Sequence, residues 1–140
     1  MKRVLIALIM LVSIEASAQI QVYEKKDQTI YCTGLALHCI SKVTVDTVAT
    51  YWLSFHDSAY KHIEVTKSLR FSNKEDLMMF FVYIVDCING QQSQILMFND
   101  QKVGINYENA VAKVYFEEGY FFMSKKQALR CIEEIKSFNN

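Results

Sequence analysis

The sequence predicts an α+β fold: a mainly antiparallel β-sheet of about six to eight strands with two helices on one face. Three observations carry this reading. Short segments of period-two alternation follow one another through most of the chain, joined by connections too short for parallel crossovers. Two longer segments lack that alternation and open on helix-capping patterns. Both follow directly on a strand, so that Phe71-Ser72-Asn73 and Met123-Ser124-Lys125 form matching strand-to-helix junctions at an offset of 52 residues.

Residues 1–18 stand apart from the fold. Lys2 and Arg3 precede an uninterrupted apolar run, 4–12, and Ala16-Ser17-Ala18 supplies small residues for cleavage. This is the pattern of a secretory signal peptide, and the apolar run falls well short of the ~20 residues of a spanning helix. The expected organisation is a cleaved signal peptide, 1–18, followed by a single α+β domain, 19–140, in a secreted or periplasmic protein. Cleavage removes Lys2, Arg3 and Glu15 and leaves 13 basic and 14 acidic residues, a formal charge of −1. A balance this close to neutral gives no basic footprint for nucleic acid or an anionic membrane. No second long apolar run follows, so no stable membrane insertion is expected after cleavage.

Residues 19–23 alternate, 24–28 read as a polar turn, and 29–40 are rich in strand formers interrupted by Gly34. Residues 42–48 alternate again. A compact aromatic strand, 50–55, is followed by the polar His56-Asp57-Ser58. Residues 62–71 alternate with Ile63, Val65, Leu69 and Phe71 on one face, and Lys67 is the single exception there.

The first helix is expected over 71–90. Ser72 and Glu75 have capping-box spacing, and Asn89-Gly90 tolerates a left-handed exit. Residues 77–85 hold no charge, so Leu77, Phe80, Phe81 and Ile84 face the sheet while Met78, Val82 and Val85 need a second cover. Strands follow at 94–98, 103–107, 110–116 and 120–123, separated by turn residues. The second helix, 124–138, is capped by Ser124 and Gln127 and is conventionally amphipathic. At the junction offset, 50–55 falls on 102–107, which suggests two tandem β-β-β-α units.

All four cysteines, Cys32, Cys39, Cys87 and Cys131, follow residue 18 and are disulfide candidates in an oxidising compartment. Cys32 with Cys39 closes a small loop; Cys87 with Cys131 requires antiparallel or axially shifted helices. The densest polar cluster is His56, Asp57, His62 and Glu64, whose residue types suit zinc or acid–base chemistry but whose positions suit a solvated face. His38 beside Cys39 forms a weaker constellation of the nucleophile type. No Gly-x-Ser-x-Gly, His-Glu-x-x-His, EF-hand or Gly-rich phosphate loop is present. No catalytic, cofactor-binding or metal-ligating residue is therefore assigned, and no cofactor is expected.

Trp52 falls on the less buried face of its strand and, with Met78, Val82 and Val85, is a candidate interaction residue. The function expected is an exported, non-enzymatic binding protein whose partner is another protein or a second copy of itself. The alternatives are a carrier of an apolar small molecule and, behind it, a small metal-dependent hydrolase using His56, His62 and Glu64.

Overall fold

The computed structural model describes residues 23–117 and 119–139. The signal-peptide segment lies outside them, as does most of the alternating stretch 19–23. Strands β1 (Lys25–Cys32), β2 (His38–Val45), β3 (Val48–His56) and β4 (Thr66–Phe71) form one antiparallel meander that leads into helix α1 (Lys74–Gly90). Strands β5 (Gln94–Phe98), β6 (Gln101–Glu108), β7 (Val111–Phe116) and β8 (Gly119–Ser124) form a second, which leads into α2 (Lys125–Ser137). The α+β class and the antiparallel pairing are those the sequence predicts. The strands divide between two sheets, however, and each unit holds four strands rather than three. A fixed offset aligns only the two junctions. It sets β3 on β6, whereas the third strand of the second sheet is β7, because the connections within the two units differ in length.

Several expected boundaries move. Residues 24–28, read as a turn, belong largely to β1, an edge strand whose polar side chains are exposed while its backbone pairs with β2. The segment 29–40 divides at Thr33, and 42–48 breaks at Asp46, which adopts a φ of 57°. In the second sheet the turns Asn99-Asp100 and Asn109-Ala110 put all four residues at positive φ, 49° to 70°, the backbone of type I′ hairpin turns. The strand expected from residue 62 begins only at Thr66, and Ile63 is 68% exposed.

Helix α1 is capped one residue later than expected. The Asn73 side chain accepts a hydrogen bond from the Asp76 amide at 2.7 Å. The Ser72 hydroxyl instead donates to Asn99 Oδ1 at 2.7 Å. The left-handed exit is Gln91, φ 51°, not Asn89 or Gly90. The Ser124–Gln127 capping box of α2 forms as the spacing predicts.

One hydrophobic core runs through both units. Phe55 and Phe71 from the first sheet, Phe81 and Ile84 from α1, and Ile105 and Phe121 from the second sheet are each at most 1% exposed. The Lys74 ammonium donates to the Phe138 carbonyl at 2.6 Å, so the start of α1 meets the end of α2 and the helices run antiparallel. Helix α1 packs on strands of both sheets and on α2. Met78, Val82 and Val85 are half-buried against this core, so intramolecular packing supplies their cover. The solvent-facing stripe of α1 carries Met79 and Tyr83, between Glu75 and Asp86.

The two sheets meet at a seam. At one end the Ser58 amide donates to the Tyr120 carbonyl at 2.8 Å, and Asp57 Oδ1 accepts from the amides of Ala59 (3.0 Å) and Tyr120 (3.2 Å). At the other end Asn99 donates to the Arg70 carbonyl at 2.8 Å, and the Phe71 and Phe98 rings stack with centroids 4.8 Å apart.

Candidate functional site

The His56–Asp57–His62–Glu64 cluster does not assemble. Asp57 turns into the seam, fully buried, where its Oδ2 is 2.7 Å from the Lys67 ammonium. Burial works against ionisation of Asp57, but Lys67 and the two amides outweigh it and hold the carboxyl below its usual range. The apolar face of β4 admits Lys67 because its ammonium answers that carboxylate. His56 and Glu64 line a shallow groove beside Leu37 and Thr66, and His62 is exposed. Among the described residues no group of three or more His, Cys, Asp or Glu side chains is placed to hold a metal ion.

The second constellation is structural as well. Cys39 is bonded to Cys32, directly opposite it on the neighbouring strand. His38 is 4% exposed, its Nδ1 lies 3.2 Å from the Thr33 hydroxyl, and its ring meets Phe121 edge-on at 5.2 Å. Burial pushes its imidazole down to about 4, against a backbone hydrogen bond at Phe122 that raises it. Cys87 and Cys131 are buried free thiols. With Lys74 level with Phe138, Cys131 sits about six residues, or ~9 Å, along the helix axis from the level of Cys87. The antiparallel arrangement is thus present but out of register for a bond.

Trp52 is the interaction candidate that a surface groove surrounds. It projects from the centre of β3 to the outer face of the first sheet, with Ser41 of β2 and Arg70 of β4 directly across from it. The groove there has a volume of about 550 Å³. Its floor is apolar where Val43, Val45 and Val48 meet, and hydroxylic where Ser41, Ser54 and Ser68 project. The indole N–H donates to the Thr50 hydroxyl at 3.1 Å, and that hydroxyl donates to the Val43 carbonyl at 3.4 Å. Thr50 therefore restrains the ring, which stays partly exposed in the groove.

Ser54 and Ser68 share a hydrogen bond at 2.9 Å, which leaves each hydroxyl with unused capacity. The rim carries two cations. Lys25 is paired with Asp27 at 3.1 Å, whereas Arg70 has no ion-pair partner among the described residues. Among the described residues no carboxylate lines the groove itself, Asp27 standing beside Lys25 at its rim.

A larger groove, about 690 Å³, lies on the outer face of the second sheet, where the Tyr115 ring covers Gly104 so closely that a Cβ there would overlap it. Its lining sets Lys102 against two carboxylates, Asp100 and Glu117, and so carries no excess of positive charge. Arg70, Thr50 and the serines were not singled out by sequence. Period-two alternation does place them on the Trp52 face, but the cross-strand register that gathers them depends on turn lengths the pattern does not specify. Comparison of the chain with family models, curated proteins and solved structures finds no match.

Proposed function

We propose that the protein is an exported, non-enzymatic binding protein, secreted or periplasmic, that holds its partner on the outer face of the first sheet around Trp52. The observation that carries the reading is the groove itself: a half-buried indole held by Thr50, beside an Arg70 with no ion-pair partner among the described residues, on a face that no described helix or strand covers. Export is supported by the signal-peptide pattern and by a Cys32–Cys39 bond of the kind that persists in oxidising compartments. No described helix is long and apolar enough to cross a membrane. The carrier reading has less to rest on, because Phe80 and Phe81 are buried in the core rather than lining a space. The hydrolase reading lacks an assembled set of ligands among the described residues.

The test places a photo-crosslinking residue at position 68, or at position 126 as a control, in cells that produce the full chain. Adducts specific to position 68 that disappear with Trp52→Ala are expected. Equal labelling at both positions, or adducts indifferent to Trp52, would overturn the binding face. Recovery of uncleaved chain in the cytosol would overturn export.

A further inference from the structure

We propose that the groove takes an acidic saccharide, one sugar ring lying on Trp52 with its carboxylate on Arg70. The inference rests on the binding-face reading above and adds the chemistry of the ligand. Three features of the groove select that chemistry. The first is the ring. A half-buried indole restrained by Thr50 in the groove presents apolar aromatic surface, on which the C–H face of a pyranose packs. The second is the hydroxyl set. Ser54 and Ser68 keep donors and acceptors beyond their shared bond, and both are placed to exchange hydrogen bonds with sugar hydroxyls.

The third is charge. Arg70 stands directly across from Trp52, is exposed, and has no ion-pair partner among the described residues, none of whose carboxylates lines the groove. A guanidinium so placed binds a carboxylate through two parallel hydrogen bonds. An extended acidic peptide satisfies the charge but not the rest. Peptides that join sheets do so along a free edge through backbone hydrogen bonds. Trp52 and the valines Val43, Val45 and Val48 sit on β2 and β3, inner strands paired on both sides, so the centre of the groove offers side chains alone, although Lys25, Ser68 and Arg70 come from the edge strands β1 and β4.

Trp52 is the only tryptophan of the chain, so its emission reports this groove and no other place. The experiment titrates the protein with trigalacturonate, with the neutral trisaccharide maltotriose, and with a hexaglutamate peptide, in wild type and Arg70→Gln. The expected result is a saturable change in Trp52 emission with trigalacturonate. Maltotriose should bind at least tenfold more weakly, and Arg70→Gln should lose at least tenfold in affinity for the acid with an unchanged melting curve. Affinity should also fall severalfold between 50 and 500 mM salt, because the contact is exposed (about a threefold shorter screening length).

Equal binding of both trisaccharides, or indifference to Arg70→Gln, would overturn the acidic assignment and leave the binding face standing. A response to hexaglutamate alone would replace the saccharide by a peptide. Silence with all three probes would overturn the saccharide, and it would reach the binding face itself only if the crosslinks at position 68 were also missing.

Discussion

Lys67 and Asp57 form an ion pair at 2.7 Å in which the carboxylate is wholly buried and the ammonium side chain is 19% exposed. The asymmetry decides what each substitution does. Removing the lysine strands a buried charge; removing the carboxylate frees a lysine that can reach water. Lys67→Met is therefore expected to destabilise by about 3 kcal/mol. Asp57→Asn, which keeps an oxygen for the Ala59 and Tyr120 amides, should cost about 1–2 kcal/mol. Urea unfolding of both variants and the double variant measures this. A Lys67→Met cost no greater than that of Asp57→Asn would show that the carboxylate does not depend on its partner.

Gly119 faces the same carboxylate so closely that a Cβ would overlap it. Because Asp57 is held by Lys67 and two amides, it has little room to yield. Gly119→Ala should cost about 1–3 kcal/mol in the wild type and much less in an Asp57→Gly background, a non-additivity that a double-mutant cycle reads directly. Gly104→Ala is the contrast: the Tyr115 ring it would displace is 37% exposed and can swing outward, so the loss should be smaller.

His38 sets a window of acid sensitivity. Its folded value, about 4, lies below the ordinary 6.5, so the unfolded chain takes up a proton first as pH falls. Its stabilising contribution is complete above pH 6.5 and is lost between 6.5 and about 4, by about 3 kcal/mol in all. Asp57, also held below its ordinary value, contributes above pH 3.8 and loses that contribution only as pH falls further. Urea midpoints measured from pH 7.5 to 4.5 should fall steadily in wild type and be much flatter in His38→Gln. Equal slopes would place the titrating group elsewhere.

The cysteines should divide cleanly. Burial raises both free thiols, Cys131 to about 12 with the nearby Glu134 charge adding to it, so neither presents a thiolate at pH 8. Mass spectrometry after alkylation should find no label on the native protein, two labels in urea, and four in urea with reductant. Reducing or replacing the Cys32–Cys39 bond should cost about 2–3 kcal/mol for a loop this short. Labelling of the native protein would place a thiol at the surface.

The sequence made the elements that depend on local pattern readable, and the site only in part. The Ser124–Gln127 box is local chemistry and lies where the spacing puts it. Ser72 and Asn73 are both capping residues side by side, and tertiary contact chose between them: Asn99 engages Ser72 and leaves Asn73 to the helix. Lys67 looked like a flaw in an apolar face because its reason, Asp57, lies ten residues away around a loop. Trp52 was visible as an outward aromatic. Its neighbours Ser41 and Arg70 belong to other strands, and only the register brings them beside it.

The two meanders have a consequence for how the chain folds. Every strand in either sheet pairs only with its immediate predecessor or successor, so all of the ladder forms from neighbouring segments. Such local topology favours fast assembly of each half. What is non-local is the packing of α1 on α2, with Lys74 and Phe138 64 residues apart, and the seam: Asp57 with Tyr120, 63 residues apart, and Phe71 with Phe98. If these contacts form after the local ladders, substitutions at Asp57 or Phe98 should speed unfolding far more than they slow folding, which stopped-flow unfolding and refolding rates measure.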